Sequence, residues 1–191
     1  MTTWYWVRHG PTHQQAFTGW RDVPADLSDA AQLARLHAAL PTEALVVSSD
    51  LIRAAATADT LAPRRRLPDT PALREFHFGR WDGLTFAAVA ARDPELSEAF
   101  WEEPGDVTPP GGESWNTLAA RVGGFVARTN RAHPQGHIIA VAHFGVILTQ
   151  IQHALGLSAQ EALAQDIANL SITELHHEQG IWQARRINHI P

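Results

Sequence analysis

The chain has 191 residues, of which 45% are hydrophobic and 18% are charged; these values are typical of a globular protein and exclude a disordered or fibrous class. Its formal net charge is −5 and it has no long basic run, which argues against a nucleic-acid partner. It contains no cysteine, so disulfides, thiolate nucleophiles and cysteine metal sites are excluded. We expect a single domain over residues 1–191, because two domains would each be small for an independent core.

The N-terminus shows no sign of a targeting or membrane segment. The apolar run from Trp4 to Val7 is too short for a signal peptide or a membrane span, and no basic segment precedes it. We therefore expect a cytoplasmic protein that does not act at a membrane.

The same run predicts a short buried strand that ends at Arg8 and His9. Ligands of open α/β sheets bind just beyond the carboxyl ends of strands, so this pair is a site candidate by position. A turn-rich loop follows, and Ser28 is predicted to cap a helix that Pro41 ends.

The pattern of strand, polar loop and helix recurs in the middle of the chain. Residues 44–47 predict a second strand, and the helix after it carries Arg53 in its first turn. Residues 73–75 predict a short strand that ends in Glu75, and helices are predicted near 84–92 and 94–103. We interpret the Pro- and Gly-rich residues 104–112 as an excursion over the active-site face.

The last third of the chain completes an alternating α/β pattern. Apolar residues at helical spacing predict a long helix near 114–132, and residues 137–142 predict a third strand that delivers His143 to its end. A helix follows at once, and residues 170–176 and 181–188 predict a hairpin. The alternation predicts an α/β fold with parallel central strands.

Right-handed crossovers place the carboxyl ends of the three strands on one edge of the sheet, so Arg8, His9, Arg53 and His143 should converge. Together they form a pocket with a charge between about +2 and +4, depending on histidine protonation. Such a field disfavours a metal and favours a phosphate dianion, which arginine binds bidentately.

These residues suit phosphoryl transfer. A neutral His9 imidazole is a competent nucleophile toward phosphorus if an acceptor such as a carbonyl holds its other nitrogen. His143 can donate to the nonbridging oxygens. Glu75 is the best candidate for the general acid, but an ordinary salt bridge to Arg74 or Arg80 explains it equally well at this stage.

Five segments, in this order, resemble the signature of the histidine phosphatase (phosphoglycerate-mutase-like) superfamily. They are Arg8-His9-Gly10-Pro11-Thr12, Ser49-Asp50-Leu51-x-Arg53-Ala54-x-x-Thr57-Ala58, Leu73-Arg74-Glu75 with Gly79-x-Trp81-Asp82-Gly83, Pro110-Gly111-Gly112-Glu113-Ser114 and Val141-Ala142-His143.

This resemblance implies a three-layer α/β/α sandwich with a mostly parallel central sheet. It also implies that His9 is the phosphorylated nucleophile, that Arg8, Arg53 and His143 bind the phosphate, and that Glu75 donates the proton. It implies neither a metal nor an organic cofactor. The expected partner is a small phosphorylated metabolite, and a homodimer is kept as an open alternative.

The sequence departs from the family pattern at three positions. Gln15 stands where family members often have an asparagine that touches the phosphate, and Pro11 replaces a common polar residue. Phe144 stands where a glycine usually follows the second histidine, and it can form an aromatic wall for the leaving group. We expect Gln15 and Phe144 to be substrate-binding residues.

Within the family, the choice lies between a mutase and a hydrolase. Residues 17–22, which include Thr18 and Gly19, resemble the stretch that cofactor-dependent phosphoglycerate mutases use near the substrate. Phe76 and Phe78, however, replace the Arg and Tyr that would hold a substrate carboxylate in those mutases. Chain size and residues 110–114 resemble α-ribazole-phosphate phosphatases and their broad-specificity relatives, so hydrolysis of a small phosphate monoester is favoured.

Two further classes rank lower. A phospholigand-binding module without turnover would be expected to lack the nucleophile or the acid, and both are present. A metallohydrolase would need clustered ligands, whereas the adjacent His176 and His177 would face opposite sides of a strand.

Overall fold

Six β-strands form one sheet in the computed structural model, which describes residues 1–191. The strand order is β3-β2-β4-β1-β5-β6. The first four of these strands are parallel, while β5 and β6 run antiparallel at one edge. The strands are β1 (Thr2–Arg8), β2 (Leu45–Ser48), β3 (Arg65–Arg66), β4 (Gly136–Ala142), β5 (Ile172–Glu178) and β6 (Ile181–His189).

Seven α-helices accompany the sheet, and none is both long and apolar enough to pass through a bilayer. They are α1 (Ala30–Ala39), α2 (Ile52–Asp59), α3 (Phe86–Arg92), α4 (Pro94–Glu102), α5 (Trp115–Ala132), α6 (Phe144–Leu155) and α7 (Ala159–Leu163).

Helices cover both faces of the sheet because its central strands alternate their side chains between two apolar cores. In β4, Ile138 and Ala140 join the core that contains α5 and α6, whereas Ile139 and Val141 join the core that contains α1 and α2. The predicted three-layer α/β/α sandwich with a mostly parallel central sheet is therefore confirmed.

Parallel register brings three strand ends to one edge. Arg8 of β1 pairs with Ala142 of β4, and Ser48 of β2 pairs with Val141 of the same strand. The residues that follow these ends therefore lie next to one another, as strand polarity predicts.

The strand predicted over 73–75 is wrong. The chain forms the short strand β3, makes one bridge from Thr70 to Ser49, and then enters a 3-10 turn over Pro71–Leu73. Proline has no N–H to donate to a sheet ladder and fixes its own φ, which explains why pairing ends there. Glu75 consequently lies in an irregular segment and does not end a strand.

The other predicted elements have close counterparts. The long helix begins after Ser114, whose side chain accepts a hydrogen bond from the Thr117 N–H, and it ends at Ala132. The C-terminal hairpin turns at Gln179 and Gly180, which both have positive φ, as a type I′ turn requires.

The cap of α1 differs from the predicted one by one residue. The Asp29 side chain accepts a hydrogen bond from the Gln32 N–H, so Asp29 and not Ser28 is the N-cap.

We expect Asp29→Ala to lower the free energy of unfolding by about 1 kcal/mol, because it removes the acceptor for an otherwise unpaired helix N–H. The matched control Ser28→Ala should lower it by less than half as much. Urea denaturation of the three proteins measures both values, and equal losses would contradict the cap assignment.

Candidate active site

His9 is held between two neighbouring parts of the sheet edge. Its peptide N–H donates to the Ala142 carbonyl at 3.0 Å, and its own carbonyl accepts from Asn169 Nδ2 at 2.8 Å. The side chain is 94% buried, since only 6% of the residue's surface is exposed. The backbone at His9 is therefore fixed from both sides.

The His9 ring has a defined tautomer. Its Nδ1 lies 2.7 Å from the Gly10 carbonyl, which can only accept, so Nδ1 carries the hydrogen and Nε2 keeps a free lone pair. The Gly10 N–H in turn donates to Thr57 Oγ1 at 3.0 Å. Thr57 lies in one of the motifs, but its contact with Gly10 depends on how α2 packs against the first strand.

His143 lies directly against His9. The two rings meet edge to face with their centroids 5.0 Å apart. His143 is the N-cap of α6 and is fully buried, and neither ring nitrogen has a hydrogen-bond partner within the protein.

Arg53 projects from the first turn of α2 and is almost completely buried. Its Nη2 donates to the Gly19 carbonyl at 2.7 Å, with a longer contact of 3.4 Å to the Thr18 carbonyl, and its Nη1 donates to the Arg21 carbonyl at 2.9 Å. Thr18 and Gly19 thus contact the site through backbone oxygens that orient Arg53.

Arg8, at the end of β1, is oriented by two contacts. Its Nη1 donates to the Ile167 carbonyl at 2.5 Å, and its guanidinium lies 5.4 Å from the centroid of the Phe144 ring. Arg8 and Arg53 each keep a buried Nε–H without a partner in the protein.

The Glu75 carboxylate is buried and accepts hydrogen bonds from the N–H groups of Phe76 at 2.9 Å and Gly145 at 3.1 Å. Arg74 instead forms a bidentate pair with Asp50, at 2.7 and 2.8 Å. The structure therefore gives no salt bridge between Glu75 and Arg74.

Arg121 was not singled out by the sequence, yet it holds the segment that carries Glu75. From α5 it pairs with Glu113 and donates to the carbonyls of Ala72 and Arg74 at 3.0 and 2.9 Å. A long contact of 3.3 Å reaches the carbonyl of Glu75 itself, which also accepts from Trp20 Nε1 at 2.8 Å. The available signal in the sequence was an acidic residue just before the long helix and an arginine in its second turn.

Burial sets the proton states of the site. Desolvation, followed by the positive charges of Arg53 and Arg8, lowers the pKa of His9 to about 3 against the smaller opposing effect of the Gly10 hydrogen bond. Burial also holds the pKa of His143 well below its ordinary value. Burial raises the pKa of Glu75, although its two backbone hydrogen bonds, Arg53 and Arg8 act in the opposite direction. Both histidines are therefore neutral near pH 7, and the arginines supply the positive charge.

Gln15 and Phe144, which the sequence analysis expects to bind substrate, differ in burial and in contacts. Gln15 is exposed in the loop after β1, and the structure gives no hydrogen bond between it and the other site residues. Phe144 is half-buried beside Arg8, and the residue after it, Gly145, makes the close approach to Glu75: a Cβ at that position would lie 2.7 Å from Glu75 Oε1.

The two adjacent histidines of β5 have separate partners. His176 Nε2 lies 2.8 Å from Glu174 Oε1, and the His177 ring centroid lies 4.7 Å from that of Trp182. No three His, Asp or Glu side chains in residues 1–191 are grouped as metal ligands.

Several curated proteins are similar in sequence to this chain over most of its length. A bifunctional protein of Mycobacterium tuberculosis is 37% identical over 89% of this chain, which spans only 45% of that relative's length. The adenosylcobalamin/alpha-ribazole phosphatase of Escherichia coli K12 is 28% identical over 95% of this chain and 88% of its own length.

Solved structures share the fold. YhfR of Bacillus stearothermophilus superposes with a TM-score of 0.91 over 100% of this chain and 98% of its own, at 23% identity. A mycobacterial glucosyl-3-phosphoglycerate phosphatase, solved with VO3, superposes with a TM-score of 0.83 over 98% of both chains, at 30% identity.

A family model extends this likeness to nearly every residue of the chain. The model for the histidine phosphatase superfamily (branch 1) matches residues 4–190, and this range contains all five motifs and the whole site at the sheet edge. The chain therefore belongs to the histidine phosphatase superfamily.

Proposed function

We propose that this protein is a phosphomonoesterase that hydrolyses a small phosphate monoester through a phosphohistidine on His9, with no metal or organic cofactor. The observation that carries the proposal is the hydrogen bond from His9 Nδ1 to the Gly10 carbonyl, which leaves Nε2 unprotonated and available to attack. Two of the relatives named above, the adenosylcobalamin/alpha-ribazole phosphatase and the glucosyl-3-phosphoglycerate phosphatase, are phosphatases, which supports this reaction class.

The buried donors around His9 support a phosphate as ligand. Buried polar atoms are nearly always hydrogen-bonded, yet Arg8 Nε, Arg53 Nε and the His143 ring have no partner in the protein. A phosphate dianion brings several strong acceptors and the charge opposite to that of the two guanidiniums. We assign these three side chains to the phosphate-binding site.

In the first half of the reaction, His9 Nε2 attacks phosphorus. An N–P bond forms while the ester P–O bond breaks, and the Glu75 carboxyl gives its proton to the departing alkoxide oxygen. Arg8, Arg53 and an N–H of His143 stabilise the charge on the nonbridging oxygens as the phosphoryl group moves.

In the second half, a water molecule replaces the alcohol. The Glu75 carboxylate takes one proton from it, the water oxygen attacks phosphorus, and the N–P bond breaks. Phosphate leaves, and both His9 and Glu75 return to their starting protonation states.

Mutase chemistry is the alternative within the family. It must retain a phosphorylated intermediate in a polar site until one phosphoryl group returns to the enzyme, whereas Phe76 is buried and apolar and Phe78 packs against the apolar core. Hydrolysis is therefore the better match.

We expect wild-type protein to hydrolyse 4-nitrophenyl phosphate in excess EDTA and to form an acid-labile, base-stable phosphoenzyme. His9→Ala should abolish both, because it removes the nucleophile, while the exposed His137→Ala serves as a control that keeps both. Rapid quench with labelled substrate measures the phosphoenzyme.

Other outcomes point to the alternatives. Turnover by His9→Ala would contradict the assignment of the nucleophile. Complete inactivity of folded wild-type protein would indicate a binding module, activity lost in EDTA and restored by metal would indicate a metallohydrolase, and transfer between phosphoglycerates with added 2,3-bisphosphoglycerate would indicate a mutase.

Glu75→Gln should lower kcat/KM, which reports on the first half of the reaction, by about 10²- to 10⁴-fold for alkyl phosphates and far less for 4-nitrophenyl phosphate, because only the poor leaving group needs the proton. Since Glu75 must be protonated and burial raises its pKa, the wild-type rate with alkyl esters should fall as pH rises through that pKa. In the Glu75→Gln variant, the rate should no longer fall over this pH range. An equal loss of kcat/KM with both substrates would mean that another group is the acid, and the exposed Glu102→Gln is the control.

Because the fold holds His9 neutral, we also expect the free energy of unfolding to depend on pH. Between the ordinary histidine value of 6.5 and about 3, the unfolded state binds a proton at this residue that the folded state does not. Stability should therefore fall as pH drops through this window, with a contribution from His9 of up to about 1.4 kcal/mol per pH unit.

Urea unfolding of the His9→Gln variant at several pH values tests this prediction. Its stability curve should be flatter than that of the wild type, and His143→Gln should flatten it in the same direction. Curves of the same slope would show that the imidazoles are not held neutral by the fold.

A further inference from the structure

We propose that the protein has a second ligand site, separate from the active site, and that this site binds a purine nucleotide. The site is a cavity of about 950 Å³ between helix α5, the second half of α6 and the β5–β6 hairpin, and we call it the hairpin cavity. Small-molecule sites in proteins have volumes of about 300 to 1,000 Å³, so the hairpin cavity is large enough for a ligand of this size.

The hairpin cavity lies at the end of the sheet opposite to the active site. His177, in its wall, pairs with Thr2 at the start of β1, whereas His9 follows Arg8 at the other end of that strand. From Thr2 to Arg8 the strand rises by about 20 Å. No residue that we assign to the phosphoryl transfer lines the hairpin cavity, so a ligand bound there does not contact the proposed nucleophile.

Small residues of α5 make room for the ligand. Ala119, Gly123 and Ala127 recur every four residues and all line the hairpin cavity, so they lie on one face of the helix. A Cβ added at Gly123 would have no atom within 4 Å apart from its own helix backbone and chain neighbours. This position therefore faces open space, and a larger side chain there would fill part of the hairpin cavity.

A buried polar side chain in the lining has an unused acceptor. Gln150 of α6 is only 4% exposed. Its Nε2 donates to Thr149 Oγ1 at 3.1 Å, whereas its Oε1 has no hydrogen-bond partner within the protein. Because buried polar atoms are nearly always hydrogen-bonded, this oxygen is available to a donor of a ligand. The amino group or a ring N–H of a purine is such a donor.

Aromatic rings form the wall on the hairpin side. The Trp182 ring centroid lies 4.7 Å from that of His177 and 6.0 Å from that of His153, and all three residues line the hairpin cavity. Trp182 is half-buried, so part of its surface stays accessible. Aromatic side chains bind nucleobases by stacking. Trp182 therefore offers a stacking surface to a planar heterocycle.

The charged groups of the lining favour an anion. Arg131, which is exposed, and two histidines line the hairpin cavity, but no acidic residue does, although the chain has a formal net charge of −5. Burial, followed by the positive charges of His153 and the N-terminal amine, lowers the pKa of His177. Arginine binds phosphate oxygens bidentately, so a phosphate group is expected at Arg131.

A purine nucleotide has all three complementary groups. Its base can stack on Trp182 and donate to Gln150 Oε1, while its phosphate binds Arg131. A purely apolar ligand would leave Gln150 Oε1 buried without a donor, which is unfavourable.

Isothermal titration calorimetry with the phosphonate analogues of AMP and GMP tests the proposal. In these probes a methylene group replaces the 5′ oxygen, so they contain no phosphate ester that the active site could hydrolyse. We expect at least one probe to bind wild-type protein with a Kd below about 1 mM, and its nucleoside without the phosphonate to bind about threefold more weakly or worse. The inference is overturned if neither probe binds, or if the nucleoside binds as tightly as its phosphonate.

Two glycine variants locate the binding. Gly123→Leu should raise the Kd by about tenfold or more, because the new side chain occupies the hairpin cavity. Gly124→Leu is the matched control, since Gly124 lies next to Gly123 but outside the lining, and its Cβ would meet only the flexible end of Arg128. This control should keep the wild-type Kd. An unchanged Kd in folded Gly123→Leu would place the nucleotide elsewhere, the active site included, and would overturn the inference.

Arg131→Gln gives a second test, which also serves if Gly123→Leu does not fold. Removal of this exposed charge should raise the Kd by about threefold or more, whereas Arg128→Gln, exposed on the same helix and outside the lining, should leave it unchanged. Equal values for Arg131→Gln and wild type overturn the inference. Because calorimetry does not depend on turnover, these results are independent of whether the protein hydrolyses 4-nitrophenyl phosphate.

Discussion

The parallel pairing of β1 with β4 is the constraint on which the site depends. Because Arg8 pairs with Ala142, the residues that follow these strands, His9 and His143, are brought into ring contact. The hydrogen bond from the His9 N–H to the Ala142 carbonyl continues the ladder by one step beyond the strand. The functional groups are thus positioned by backbone pairing, which is far stiffer than a loop.

Burial at this edge shifts the pKa values of the two histidines and of Glu75 in the directions that the proposed phosphoryl transfer requires. Desolvation disfavours charged forms, so the same environment lowers the pKa values of His9 and His143 and raises that of Glu75. Neutral imidazoles and a carboxyl group with a raised pKa therefore lie close together. Arg8 and Arg53 supply the positive charge of the site.

Strand ends and their polar residues could be predicted from the sequence alone, because a buried strand has a local apolar pattern and parallel strands share one edge. Arg8, His9, Arg53 and His143 were all found in this way. The position of Glu75 depends on contacts from Trp20 and Arg121, which are distant in sequence, so local patterning wrongly indicated a strand.

The roles of Gly145 and Thr57 likewise depend on how α6 and α2 pack against the sheet. The same is true of the small apolar pocket beside Glu75, which is lined by residues from five separate stretches of the chain. Sequence by itself determined most of the elements and the kinds of chemical group, because these depend mainly on neighbours along the chain. Tertiary structure alone decided their hydrogen-bond partners, burial and pKa values, because these depend on neighbours in space.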